Sequence, residues 1–285
     1  MKKVFKRPAL VLTALILAAG LAGCKNASGS EPEFEIEDGV LKKYRGESAE
    51  VIIPDGVTKI GGQAFENNLY VERVIIPEGV TEIGTMAFFF CSNLKSVEIP
   101  DTVTIIGKSA FCGCENLVDV RIPSGVTVID FQVFAGCTKL RDIEIPDGVT
   151  SIVADAFRNT GIEYVEIPGS VEYLSGFSSC SKLQTVYIKE GVKHINSGAF
   201  RNCENLETIT IPSTIESIYY KAIKGCTALS RVHYNGTVEE WRELYESTEI
   251  FEDIEDVIVL CTPGSIEYRK GEEVVGDESD ASASE

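Results

Sequence analysis

The chain has 285 residues, of which 44% are apolar and 25% are charged, so it is long and apolar enough to form a folded core. Its formal net charge is −18, although the first seven residues contain four lysines and arginines. Such an acidic chain repels phosphate backbones and anionic lipid, which argues against nucleic acid as a partner and against a basic membrane-binding face.

The first 24 residues predict export. The basic start precedes an apolar run, Ala9 to Leu21, that is too short to span a membrane. The run ends in Leu21-Ala22-Gly23-Cys24, which resembles the lipobox of bacterial lipoproteins. The resemblance implies a signal peptide over residues 1–23 and a lipid on Cys24 that holds the exported chain on the bacterial membrane, facing the cell exterior or the periplasm. The alternative is an ordinary secretory signal with a chance cysteine.

The next segments predict a tether and a cap. Residues 24–33 are polar and contain Gly, Ser and Pro, which is typical of a flexible linker. Residues 34–50 place apolar side chains on both sides of Asp38-Gly39, a dipeptide that favours a hairpin turn. We expect this hairpin to cover the apolar end of the structure that follows.

A repeat of 23 residues organises residues 51–232 into eight units, and it is shorter only between residues 146 and 212. A proline marks almost every unit, and Lys189 stands where one is expected. Within the third unit, Leu94, Val97 and Ile99 have the Leu-x-x-Leu-x-Leu spacing of a strand that faces a core. An Ala-Phe pair recurs in most units and predicts a stack of aromatic rings. One unit cannot bury its apolar side chains alone, so the units must stack.

The repeat resembles the BspA-type class of leucine-rich repeats found in bacterial surface proteins, over residues 34–264. The matching features are Ile-Pro-Asp/Glu-Gly-Val-Thr-x-Ile-Gly, the Ala-Phe pair and Cys-x-x-Leu. The resemblance implies a β-rich leucine-rich-repeat solenoid of about eight 23-residue coils, with an N-terminal β-hairpin cap and a C-terminal helical cap. Two departures put local geometry in doubt: Thr160 replaces the cysteine, and the coil before Cys180 is two residues short.

Residues 233–264 predict the C-terminal cap. Thr237 and Glu240 have the spacing of a capping box, and the short helix that follows would carry Trp241, Leu244 and Tyr245. The resemblance extends here, because arrays of this family often finish with Gly-Thr-x-x-x-Trp. Residues 265–285 are acidic and rich in Ser and Ala, which predicts a disordered tail.

The cysteines predict packing more than chemistry. Six occupy the same place in their coils, which favours a ladder of buried thiols, with cross-linking or metal binding as the alternatives: Cys91, Cys114, Cys137, Cys180, Cys203 and Cys226. Cys112 lies in a slot filled elsewhere by polar residues, so we expect it to be exposed, either as a reactive thiol or through drift. The only histidines, His194 and His233, are substitutions within the repeat, and no catalytic motif is present. We expect no catalytic residue, metal or cofactor.

Alternation along the strands predicts a binding surface. With Leu94, Val97 and Ile99 inward, the intervening side chains form an outward strand face, whose candidate ligand-binding residues are Arg73, Glu98, Asp119, Arg121, Asp142, Glu144, Tyr164, Glu166, Tyr187 and Thr208. Unselected drift would also vary these positions. Phe89 and Phe90 form a second candidate patch, unless they pack locally.

These observations predict a non-catalytic, cell-surface lipoprotein that binds a protein or glycan ligand through the strand face. The BspA-type resemblance implies an adhesin, with host matrix or another cell-surface component as partner, and the lipid anchor as its contact with the membrane. The alternative is a structural or assembly protein of the cell envelope.

Overall fold

The computed structural model describes residues 32–246, 250–251 and 254–274. The predicted signal peptide, Cys24 and the predicted tether up to residue 31 lie outside the described residues, as does the chain from residue 275.

The described chain begins with a hairpin. Strands β1 (Phe34–Glu37) and β2 (Val40–Tyr44) pair in antiparallel fashion around Asp38 and Gly39, both of which have positive φ. Strand β2 also pairs in parallel with the first short strand of the repeats, and its Tyr44 ring stacks on Phe65 with centroids 4.9 Å apart. The hairpin therefore both caps the array and supplies part of its first turn.

The repeats form a parallel β-solenoid of about nine turns of roughly 23 residues, which confirms the expected fold. The count exceeds the eight predicted repeats because the hairpin contributes to a turn of its own. Most coils contain one longer and one two-residue strand, in chain order β3 (Glu50–Ile52), β4 (Lys59–Ile60), β5 (Arg73–Ile75), β6 (Glu82–Ile83), β7 (Ser96–Glu98), β8 (Ile105–Ile106), β9 (Asp119–Val120), β10 (Val128–Ile129), β11 (Ser151–Ile152), β12 (Tyr164–Ile167), β13 (Tyr173–Leu174), β14 (Thr185–Ile188), β15 (His194–Ile195), β16 (Thr208–Ile211), β17 (Ser217–Ile218) and β18 (Arg231–Tyr234).

Both rows of strands are interrupted between the same two coils. The longer strands form one sheet from β3 to β9 and another that starts at β12, and the short strands separate between β8 and β10. Residues 141–145, which would join the two longer sheets, are not in a strand. The coils stay connected along a third side, where the backbone N–H groups of Phe111 and Gly113 donate to Val133 and Ala135, at N–O distances of 2.9 and 2.8 Å.

A stack of aromatic rings runs through the core, as the Ala-Phe pairs predict. The rings of Phe65, Phe88, Phe111, Phe134, Phe157, Phe177 and Phe200 are fully buried, and successive centroids lie 4.7 to 5.7 Å apart in stacked geometry. Each ring therefore packs against the ring of the coil before it and of the coil after it. The coils are coupled to their neighbours, as expected for a solenoid.

The C-terminal cap combines a helix with a small meander. Helix α1 (Val238–Glu246) starts with the predicted capping box, in which the Thr237 N–H donates to Glu240 and the Glu240 N–H donates to Thr237 Oγ1. Trp241 of this helix is fully buried. Three strands follow: β19 (Asp256–Leu260) pairs in parallel with β18, and β20 (Ser265–Arg269) and β21 (Glu272–Val274) add in antiparallel fashion.

The predicted start of the disordered tail at residue 265 was wrong. Strands β20 and β21 occupy residues 265–274, and the core takes up Ile266 and Tyr268, which alternate with polar neighbours. Lys270 and Gly271, both with positive φ, make the turn between these strands. The acidic composition concealed a short strand whose inward side chains are apolar.

Candidate binding face

The outward strand face exists where the alternation predicts it. Leu94, Val97 and Ile99 are buried, whereas the neighbouring Glu98 is exposed and Ser96 is half-buried. The same pattern holds along β12, where Val165 and Ile167 point inward. The solenoid therefore presents one set of polar and aromatic side chains per coil on a rigid frame.

The sheet that carries this face is interrupted at residues 141–145. Asp142 and Glu144 are exposed but lie in residues 141–145, which pair with neither adjacent strand. Arg73, Glu98, Asp119 and Arg121 lie on the N-terminal side of this gap, and Tyr164, Glu166, Tyr187 and Thr208 lie on the C-terminal side. The candidate residues thus form two groups.

Most charges in the N-terminal group neutralise one another. The Arg73 guanidinium forms ion pairs with Glu50, at 2.8 Å, and with Glu98, and Arg121 pairs with Asp101 at 2.8 Å. A shallow cavity of about 680 Å³ runs between these side chains. Because these pairs are exposed, each contributes about 0–1 kcal/mol to stability.

Two tyrosines dominate the C-terminal group. The parallel register places Tyr164 opposite Thr185 and Tyr187 opposite Glu166, so the two rings lie diagonally on adjacent strands. Tyr164 is 47% exposed and Tyr187 is 39% exposed. Thr208 continues this row on β16, beyond Thr185, and is half-buried. Two aromatic rings on a polar sheet face form a contact area of the kind enriched at interface hot spots.

The carboxylate of Glu166 connects this group electrostatically. It accepts a hydrogen bond from the Tyr164 hydroxyl at 3.3 Å, and it forms an ion pair with Lys189 at 2.7 Å. Partial burial, followed by the Glu166 charge, raises the pKa of Tyr164, which extends the pH range over which its phenol is protonated and can donate to Glu166. We call Tyr164, Glu166, Tyr187 and Lys189 the tyrosine patch.

A cavity of about 360 Å³ opens beside the tyrosine patch, at the gap in the strand face. Ile143 and Ile145 form its apolar wall, and Glu144 and Asp147 add carboxylates. Lys189 also lines it and lies 3.5 Å from Asp147. Lys189 was not among the site residues predicted from the sequence, although its replacement of the expected proline was a usable signal.

Phe89 and Phe90, the second candidate patch, are partly packed and partly exposed. The two rings meet edge to face with centroids 4.5 Å apart, and the Phe90 ring lies so close over Gly113 that a Cβ there would be 2.6 Å from it. Phe90 is nevertheless 46% exposed. The pair therefore packs against the next coil and leaves one ring face to solvent.

The buried cysteines act as hydrogen-bond donors within the core. The Cys91 and Cys114 thiols donate to the carbonyl oxygens of Phe65 and Phe88, at 3.0 and 3.1 Å, and the other cysteines of the ladder repeat this contact. Burial raises the pKa of the Cys91 thiol to about 12. Cys112 was predicted to be exposed, but it is half-buried, and burial raises the pKa of its thiol as well. These environments favour protonated, unreactive thiols.

The remaining chemical features of the described chain are modest. His194 Nδ1 lies 2.9 Å from Ser217 Oγ, and partial burial and Arg231 lower the pKa of His233. Within the described part of the chain, no three His, Cys, Asp or Glu side chains come together as metal ligands. Among the residues that the structure describes, no helix has the length and apolar character needed to cross a membrane.

Comparison with known proteins identifies the repeats. The model of the BspA type leucine rich repeat region (6 copies) matches residues 35–130, 58–176, 106–230 and 174–248, which together cover more than half of the chain. No characterised, curated protein matches the chain.

Two solved structures illustrate the likeness. A leucine-rich-repeat protein of Treponema pallidum is 26% identical, with 78% of this chain and 95% of that chain covered and a TM-score of 0.54. A leucine-rich cell surface protein of Faecalibacterium prausnitzii is 22% identical, with 76% and 98% covered and a TM-score of 0.42. The repeat motifs, the stacked coils and the family match agree, and the chain belongs to the BspA-type leucine-rich-repeat family.

Proposed function

We propose that the protein is a non-catalytic recognition module of the bacterial cell surface, which binds a protein or glycan ligand through the tyrosine patch. The observation that carries the proposal is the exposure of Tyr164 and Tyr187 on adjacent, in-register strands beside a cavity. A parallel sheet holds both side chains in place before a ligand arrives, which lowers the entropic cost of binding.

The chemistry of the patch suits such a ligand. The tyrosine rings offer apolar contact area, and the hydroxyl groups add hydrogen bonds at low conformational cost. Glu144 and Asp147 beside the cavity provide carboxylates that accept hydrogen bonds from sugar hydroxyls or pair with cations of a protein ligand. The ion pairs of Lys189 with Glu166 and Asp147 hold the charged edge of the patch in place.

We also propose that a lipid on Cys24 anchors the protein to the bacterial membrane. The support is the basic start, the short apolar run and the Leu21-Ala22-Gly23-Cys24 ending. Metabolic labelling with an alkyne fatty acid should mark the wild-type protein and leave the Cys24→Ser variant unmarked. Equal labelling of the two proteins would contradict the anchor.

The binding proposal is tested with the mature chain and a panel of matrix proteins, mucin and cell-wall glycans. We expect at least one member to bind, and the double variant Tyr164→Ala/Tyr187→Ala to lose that binding by tenfold or more. The matched control is Tyr173→Ala/Tyr219→Ala, which removes two tyrosines that are more exposed than those of the patch but lie outside the strand face. Circular dichroism would verify that each variant is folded.

The outcomes separate the possibilities. Binding that falls with the patch variant and survives in the control supports recognition through the tyrosine patch. Unchanged binding in the patch variant assigns recognition to another surface. No binding to any panel member would favour the alternative, a structural or assembly role in the cell envelope.

A further inference from the structure

The coil of residues 174–180 contains a shortening that opens the surface of the solenoid. Four residues separate Ile152 from Phe157 and Ile195 from Phe200, but only two separate Leu174 from Phe177. Gly176 makes the shorter path possible, because its φ is +105° and a Cβ there would lie 2.9 Å from the Val153 carbonyl oxygen. The chain therefore lacks, at this point, two residues that both neighbouring coils have.

A recess of about 440 Å³ lies at this shortening, away from the strand face, and its volume falls in the range of small-molecule sites. Three cationic side chains line it, namely Arg158, Arg201 and Lys221. One carboxylate, that of Asp155, is also present and accepts a hydrogen bond from Ser178 Oγ at 2.5 Å. The recess thus has an excess of positive charge in a chain whose net charge is −18.

The two arginines flank a small residue. Backbone hydrogen bonds place Ser178 beside Asn159 and Ser179 beside Arg201, so Ser178 occupies the coil between Arg158 and Arg201. With coils stacked about 4.8 Å apart, the two arginine backbones lie about 10 Å apart, and the short serine leaves space between their long side chains. Neither guanidinium forms an ion pair with a carboxylate of residues 32–246 or of the other described stretches.

The rest of the wall is polar and hydroxyl-rich. Ser175, Ser179, Ser197 and Asn202 supply hydroxyl and amide groups that both donate and accept hydrogen bonds. Guanidinium groups bind carboxylates and sulfates through paired, charge-assisted hydrogen bonds. A ligand that matches both features carries several hydroxyl groups and one anionic group.

We propose that this recess is a second binding site, specific for an acidic sugar, meaning a monosaccharide unit with a carboxylate or a sulfate. Arg158 and Arg201 bind the anionic group, Lys221 adds positive charge, and the serine hydroxyls contact the ring hydroxyls. This site lies on another side of the coils from the tyrosine patch and works independently of it.

Isothermal titration of the folded chain at low salt tests the proposal with four probes: N-acetylneuraminic acid, N-acetylglucosamine 6-sulfate, uncharged N-acetylglucosamine and inorganic sulfate. We expect at least one acidic sugar to bind ten times more tightly than both N-acetylglucosamine and inorganic sulfate. Its affinity should fall as added salt screens the charges. Which acidic sugar binds identifies the anionic group. Equal affinity for inorganic sulfate and the acidic sugars, or binding of none, would overturn the assignment.

Two variants test the location. Arg158→Gln/Arg201→Gln should weaken acidic-sugar binding by at least tenfold, whereas Arg141→Gln, an exposed arginine whose ion-pair partner is Glu163, should not. Insertion of Asn-Ser between Leu174 and Ser175 restores the length of the neighbouring coil and should abolish binding while all three cations remain. Full binding by either recess variant, with native circular dichroism, would overturn the proposed site.

Discussion

Removal of one buried thiol should flatten the alkaline loss of stability. Cys91 is fully buried, its thiol donates to the Phe65 carbonyl at 3.0 Å, and burial raises its pKa from 9.0 to about 12. A pKa raised in the folded state means that the stabilising contribution is complete below pH 9 and is lost as the pH rises from 9 towards 12. Each pH unit in that window costs about 1.4 kcal/mol per thiol.

The Cys91→Ala variant should therefore begin less stable than the wild type and converge with it at alkaline pH. Between pH 9 and 10.5 we expect the wild type to lose about 2 kcal/mol more than the variant in its free energy of unfolding. The assay is urea unfolding followed by circular dichroism at pH 8, 9, 10 and 10.5, with a reductant present throughout. Cys112→Ala, which removes a half-buried thiol, serves as the control and should change the slope less. Parallel slopes for wild type and Cys91→Ala would refute the reasoning.

Three further changes have sizes set by the fold. Phe111→Ala removes a fully buried ring from the middle of the aromatic stack and should lower the free energy of unfolding by about 3–5 kcal/mol in urea; a loss below 1 kcal/mol would show that the ring is not packed as described. Gly176→Ala should cost about 1–3 kcal/mol, seen as a lower melting temperature, because its φ is +105° and the new Cβ meets the Val153 carbonyl; an unchanged melting temperature would contradict that backbone. Thr237→Ala removes the Oγ1 that accepts from the Glu240 N–H, keeps the backbone N–H that donates to Glu240, and should lower the free energy of unfolding in urea by about 1 kcal/mol; an unchanged value would contradict this cap.

Features repeated in every coil were predictable from the sequence. The spacing of Leu94, Val97 and Ile99 gave the inward side of the strand, and the Ala-Phe pair gave the aromatic stack, because stacking multiplies each small preference along the array. The capping box of Thr237 and Glu240 was equally local and was found by spacing alone.

Features that depend on how one coil meets the next were not predictable. Residues 141–145 follow the repeat pattern in sequence. The absence of a strand there, between β9 and β12, is therefore visible only in the stacked structure. The shortening before Cys180 was visible, but the convergence of Arg158 and Arg201 over it requires three coils in register. Lys189 was noted as a replaced proline, and only the fold shows its ion pair with Glu166.

The central claim is that the tyrosine patch is where the protein binds its ligand. Hydrogen–deuterium exchange of the mature chain, alone and saturated with the panel member that binds, tests this claim most directly. The account predicts slower exchange in β12 and β14, which carry Tyr164 and Tyr187, and unchanged exchange in the short strands β13 and β15. Protection confined to the short strands, or to the N-terminal sheet from β3 to β9, would contradict it.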